Sequence, residues 1–136
     1  MAIIRLNKQW KQKKPILGST INWSHPLSQG LVGCWLMNEG GGNVVRDLVN
    51  MNHGVANSGV TRINSRLGNV LDFDGTTGRV NCGSNSSIDN IPSKNNAITI
   101  SAWVYRDGSG DSVFPVIVDK LITNAGWKFG INDDAT

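Results

Sequence analysis

Three groups of residues in this chain can do chemistry. The first is the carboxylates. Glycoside cleavage by a β-sandwich uses two carboxylates a few ångströms apart, yet the chain holds one glutamate, Glu39. The nearest pairing is Asp72-Phe73-Asp74, where residues at i and i+2 share a strand face. Asp74-Gly75 is equally a turn signal, which makes Asp72 an exposed hairpin residue. His25 and His53 flank no nucleophile motif, and His53 sits in an Asn-rich turn that it can cap. These residue types argue against an enzyme.

The second group is oxygen ligands. The run Asp47 to His53 places Asp47, Asn50 and Asn52 on one turn. Calcium takes six to eight oxygens from carboxylates, amides and carbonyls, so this loop is a candidate metal site. The alternative is an Asx-type turn that satisfies its own backbone. The third group is aromatic. Trp103 and Tyr105 alternate with Val104, and Trp127 lies in a strand-like run expected to neighbour theirs. Sugar faces stack on such rings while neighbouring polar groups fix orientation. The same rings would also fill the space between two sheets.

These side chains need a scaffold. A chain of 136 residues, 39% hydrophobic and 17% charged, is about one globular domain and too apolar for wholesale disorder. No apolar run approaches the roughly 18 residues of a membrane span. Cys34 and Cys82 set no zinc pattern. The first residues put their basic part after a short apolar start, the reverse of a secretory signal, so two reduced thiols are expected. Residues 1–20 carry Arg5, Lys8, Lys11, Lys13 and Lys14 and no acid, while the rest holds eight basic and ten acidic residues. A basic arm thus precedes a mildly acidic body. Without a groove-reading motif, the arm is a solvated tail or a segment that docks on a neighbouring subunit rather than a specific nucleic-acid binder.

No helical periodicity lasts three turns, and sixteen glycines punctuate short β-prone runs. Leu31 to Met37 predicts a strand ended by Gly40-Gly41-Gly42, with Trp35 in the core and Trp23 and Leu27 able to pack ahead of it. Residues 69–83 predict a hairpin turning at Asp74-Gly75 and returning through Arg79 to Cys82. Residues 97–105 predict a long strand, with Ile98, Ile100, Ala102 and Val104 on one face and Thr99, Ser101, Trp103 and Tyr105 on the other. VFPVIVDKLI and GWKFGIND predict two more strands. The pattern is all-β, an antiparallel sandwich or barrel, with 1–29 as arm and lead-in and 30–136 as the β domain.

Five pieces occur in an order that resembles laminin-G-like jelly rolls of the concanavalin A-like superfamily: GLVGCWLMNEGGG, RDLVNMNHG, RLGNVLDFDGTTGRVNCG, AITISAWVYRD and PVIVDKLITNAGWKFGIND. The resemblance implies a lectin-like, non-catalytic domain that binds glycans, with a structural calcium in the Asp47 loop. Leu48-Val49 departs from the small residues usual there. Family domains continue with further strands, so the resemblance implies either a longer natural product or strands supplied by a partner. The opening, MAIIRLNKQWKQKKP, is similar to openings of bacteriophage-encoded proteins, which implies a place on a virion surface, or in the host cytoplasm during assembly. Two functions follow: glycan binding or adhesion, or a structural virion subunit, with a fragment of a glycan-active enzyme a distant third.

Overall fold

The computed structural model of the chain describes residues 14–91, 97–107, 115–122 and 125–131. They fall in two compact units, residues 1–83 and 84–136. Every strand pairing among them is antiparallel, and their helix is a 3₁₀ turn at Pro26–Ser28, a four-residue α1, Ser86–Asp89, and the single residue Ile91. The chain is therefore β-rich with almost no helix, and no described helix is long and apolar enough to cross a membrane.

In the first unit, β1 (Val44–Val45), β2 (Gly54–Ala56) and β5 (Val80–Asn81) form a three-stranded sheet with β2 in the middle. Gly54 is required there. A Cβ at that position would stand 3.1 Å from the Cys82 sulfur and collide with the Val80 side chain. The second sheet is a hairpin of β3 (Val60–Ser65) and β4 (Gly68–Phe73), in register from Val60 opposite Phe73 to Ser65 opposite Gly68. Its turn is Arg66-Leu67, held by the Ser65 hydroxyl, which accepts from Leu67 N–H and donates to the Gly68 carbonyl.

In the second unit, the Asn85 side chain caps α1 by accepting from Ser87 N–H. β6 (Val116–Ile122) and β7 (Ala125–Gly130) form a hairpin with an irregularity between Val116 and Val118. Those two strands stand where the sequence places them.

Four local expectations differ. Leu31 to Met37 is no strand: Trp35 alone makes a bridge, to Asp47, and Met37 takes a left-handed φ of 54° that ends the extended run. Trp35 is half-buried rather than core, and Trp23 and Leu27 stand exposed instead of packing. The Asp74-Gly75 turn does not fold Arg79–Cys82 back on β4. β4 pairs with the preceding β3, and β5 crosses to β2. Residues 97–107 form no strand at all. The arm also has an anchor. Lys14 N–H donates to the Leu67 carbonyl and its ammonium to the Asn69 carbonyl, while Asn38 reaches the Pro15 carbonyl. The remaining basic residues of the arm lie outside the described residues.

Among the described residues of the first unit, Val45 is the one buried hydrophobe. Polar clamps supply what that core lacks. Arg62 on β3 donates from Nε to the Gly42 carbonyl (2.8 Å), from Nη2 to the Val44 carbonyl (2.8 Å), and from Nη1 to Glu39 Oε2 (3.0 Å) and the Glu39 carbonyl. Glu39 Oε1 accepts from Arg46 N–H. One planar fork thus fastens the Gly40–Gly42 loop to the hairpin, which a lysine point charge cannot reproduce.

The turn after β4 is a second clamp. Asp74 Oδ1 accepts from the N–H groups of Thr76, Thr77 and Gly78, and Oδ2 from the Thr77 hydroxyl. The hydroxyl first, then those amides, hold its carboxyl far below the usual carboxylate range. Gly59 must be glycine, because a Cβ would stand 2.6 Å from Gly78 N and Thr77 Oγ1.

Arg62→Ala is expected to destabilise the first unit by about 3 kcal/mol, since it strands Glu39 without its partner. Arg62→Lys should recover only part of that loss in urea titration. Acid should loosen the Asp74 turn. A carboxyl whose folded pKa is depressed contributes stability present above its unfolded pKa of about 3.9 and lost as pH falls below it. Amide exchange at Thr76–Gly78 should therefore rise on acidification, and Asp74→Asn should lack that step.

Candidate functional site

The Asp47 loop is the most ordered candidate. Asp47 is 4% exposed and all its acceptor capacity is committed. Oδ1 accepts from Cys34 N–H (2.9 Å) and Val49 N–H (3.0 Å). Oδ2 accepts from Asn50 N–H (3.0 Å) and Asn52 N–H (3.2 Å). Its own N–H donates to His53 Nδ1. Around this hub, Leu48 N–H donates to the Cys34 carbonyl, Asn50 Nδ2 to the Val32 carbonyl, and the Trp35 indole to the Asn52 carbonyl. Met51, between two of the donated amides, is held at a left-handed φ of 58°.

The structure does bring Asp47, Asn50 and Asn52 together, but this arrangement does not fit calcium. Four N–H dipoles point their positive ends at the carboxylate oxygens a cation would need. Among the described residues, no group of three or more His, Cys, Asp or Glu gathers to hold a metal. The arrangement is the Asx-type turn on a larger scale.

Cys34 and Cys82 are free. Burial first, and the Asp47 charge second, push both thiols up. Such thiols stay protonated near neutrality and are poor nucleophiles. Glu39, bound to Arg62 and Arg46, is likewise committed. His25 Nδ1 accepts from Leu27 N–H and starts the 3₁₀ turn.

The aromatic candidates all belong to the second unit. Trp103 is 94% exposed and Tyr105 is 90% exposed, on a run with no described strand partner. Trp127 lies on β7 opposite Lys120, half-buried, and its indole N–H is shielded from solvent without an acceptor. No hydrogen bond joins it to Trp103 or Tyr105 among the described residues. Next to α1, Lys120 pairs with Asp89 Oδ1 (2.8 Å) and donates to the Ser84 hydroxyl, which donates to Asp89 Oδ2. Lys120 and Ser84 hold the Asp89 carboxyl below its ordinary range.

Sequence reasoning missed the Arg62 fork and this Lys120 pair. A lone arginine between Thr61 and Ile63 on an apolar hairpin was the available signal for the first. Residues far apart in sequence made the second, and no local pattern carries it. Arg62, Gly42, Asn43, Asn57 and Leu71 also line a solvent-facing concavity of about 420 Å³, which has no aromatic wall. Comparison with known proteins finds no matching family model, curated protein or solved structure.

Asp47→Ala is expected to cost about 3 kcal/mol or more, because it leaves several part-buried amides without an acceptor. Calcium and a chelator should each leave the thermal midpoint of the parent chain unchanged; a calcium-dependent rise would show that the loop rearranges around the ion.

Proposed function

We propose that this chain is a non-catalytic carbohydrate-binding or adhesion module of laminin-G-like type, carried on a virion surface. The observation that carries the proposal is the exposure of Trp103 and Tyr105. Two large rings with nine-tenths of their surface in water are costly unless something covers them. Their neighbours suit a sugar: Thr99 and Ser101 supply hydroxyls, and residues 97–105 carry no charge. Apolar sugar faces stack on such rings, and hydroxyls fix their orientation.

The carboxylates support a non-catalytic role. Glu39, Asp47 and Asp74 are each bound into the fold, and Asp74 is held ionised rather than poised to donate a proton. A second reading is a structural virion subunit, favoured by Ile16, Leu17, Trp23 and Leu27, all exposed on the lead-in beside the basic arm. There the fold serves as a scaffold and the apolar lead-in seats it on the particle.

An array of neutral and acidic oligosaccharides tests the two. The parent chain should bind a subset of neutral glycans, and Trp103→Ala should weaken that binding at least about tenfold, equivalent to about 1.4 kcal/mol. Binding that survives Trp103→Ala, or no binding to any glycan, sinks the carbohydrate role and leaves the structural one.

A further inference from the structure

The run from Ile98 to Tyr105 has strand composition and period-two alternation, yet it makes no backbone hydrogen bond to any described residue. The β6–β7 hairpin has the opposite defect. Among the described residues it is a two-stranded sheet, so each strand has an edge that no described strand covers. Val116, Val118 and Phe129 are exposed on it, and a two-stranded hairpin alone is marginal in water. Among the described residues, one chain therefore carries a strand-like run without a partner and a hairpin edge without a neighbour.

We propose that two copies of the chain exchange this strand: residues 98–105 of each add to the free edge of β7 in the other. The choice of β7 follows from the irregularity at Val116–Val118, which distorts β6 and makes it the poorer edge. β7 carries a single charge, Lys128, and the donated run carries none, so no like charges oppose the pairing. The exchange is reciprocal and closes as a two-fold dimer. Pairing along six residues of β7 gives about six ladder hydrogen bonds, and the two copies together about twelve, near the roughly ten of a stable interface.

The exchange completes the carbohydrate platform, and in this it rests on the proposed function. As a strand, the run sets Trp103 and Tyr105 on one face about 7 Å apart. The partner strand sets its Trp127 on the same sheet. The platform is then built from Trp103 and Tyr105 of one copy and Trp127 of the other, and the Thr99 and Ser101 hydroxyls come within the sheet that holds the unpartnered Trp127 indole N–H. A single copy leaves the three rings unjoined.

Light scattering on the 136-residue chain measures this without any sugar. The mass should be twice that of one chain, and Ser101→Pro should return it to one. Ser101 is exposed and its backbone makes no hydrogen bond to any described residue, so proline there removes a ladder donor without breaking a described bond of the single chain. Hydrogen exchange gives a second readout that needs no variant: amides 98–105 should be protected at high concentration and lose protection on dilution. A monomeric parent chain, a Ser101→Pro chain that remains dimeric, or protection independent of concentration each overturns the exchange. A dimer that binds no glycan would sink the carbohydrate role alone, and a monomer that binds glycan through Trp103 would sink the exchange alone.

Discussion

The first unit depends on one carboxylate. Asp47 gathers amides from Cys34, Val49, Asn50 and Asn52, and so binds two stretches of chain more than ten residues apart. Everything near it follows: the single bridge between Trp35 and Asp47, the strained φ of Met51, the seat for the Trp35 indole, and the entry into β2 at Gly54. A charged acceptor bonds amides more strongly than a neutral one, and four bonds on one group make the loop close as a unit. The same commitment removes the group from other chemistry. An acid whose oxygens are all taken by the backbone has none left for a metal or a proton relay.

Clamps of this kind recur because apolar burial is scarce. With Val45 as the buried hydrophobe of the unit, hydrophobic transfer contributes little, and the shape comes from polar groups that bridge distant segments. Arg62 bridges β3 to the loop before β1, Asp74 closes its own turn, and Asn57 ties that turn to β2 by donating to the Thr77 carbonyl and accepting from Arg79 N–H. Such bonds specify geometry sharply, but each replaces a bond to water and so adds little net stability. The unit is therefore precise in its loops and modest in its core.

This explains which parts were legible in the sequence. Turn residues act locally, so Asp74-Gly75, the Asn-rich loop and the His53 cap were visible from residue type, as were the β6 and β7 runs. Pairing is not local. The Asp74 turn was readable, but its neighbour was not, because β4 had an equally good partner upstream across Arg66-Leu67. The Arg62 fork joins residues some twenty positions apart and left no trace beyond a charge in a hydrophobic strand. For the candidate site, residue types located the Asp47 loop and the aromatic run. They did not tell whether the loop's oxygens face a metal or the chain's own amides, since that depends on where Cys34 lies.

Residues 97–105 show the same limit in sharper form. Alternation states a preference for extended backbone and assigns the two faces, but a strand exists only with a neighbour to receive its hydrogen bonds. Ile98 and Val104 on one face and Trp103 and Tyr105 on the other stay in water while the backbone between them is unpaired. Pairing would change both faces at once: the aliphatic face gains a surface to cover, and the aromatic face gains a fixed spacing. Ring exposure alone therefore does not make a platform. Recognition of a rigid ligand needs rings held at set distances, because ordering a flexible segment at the moment of binding costs part of the affinity it would supply. A neighbour for this run would fix the spacing of the two rings, which exposure by itself leaves unset.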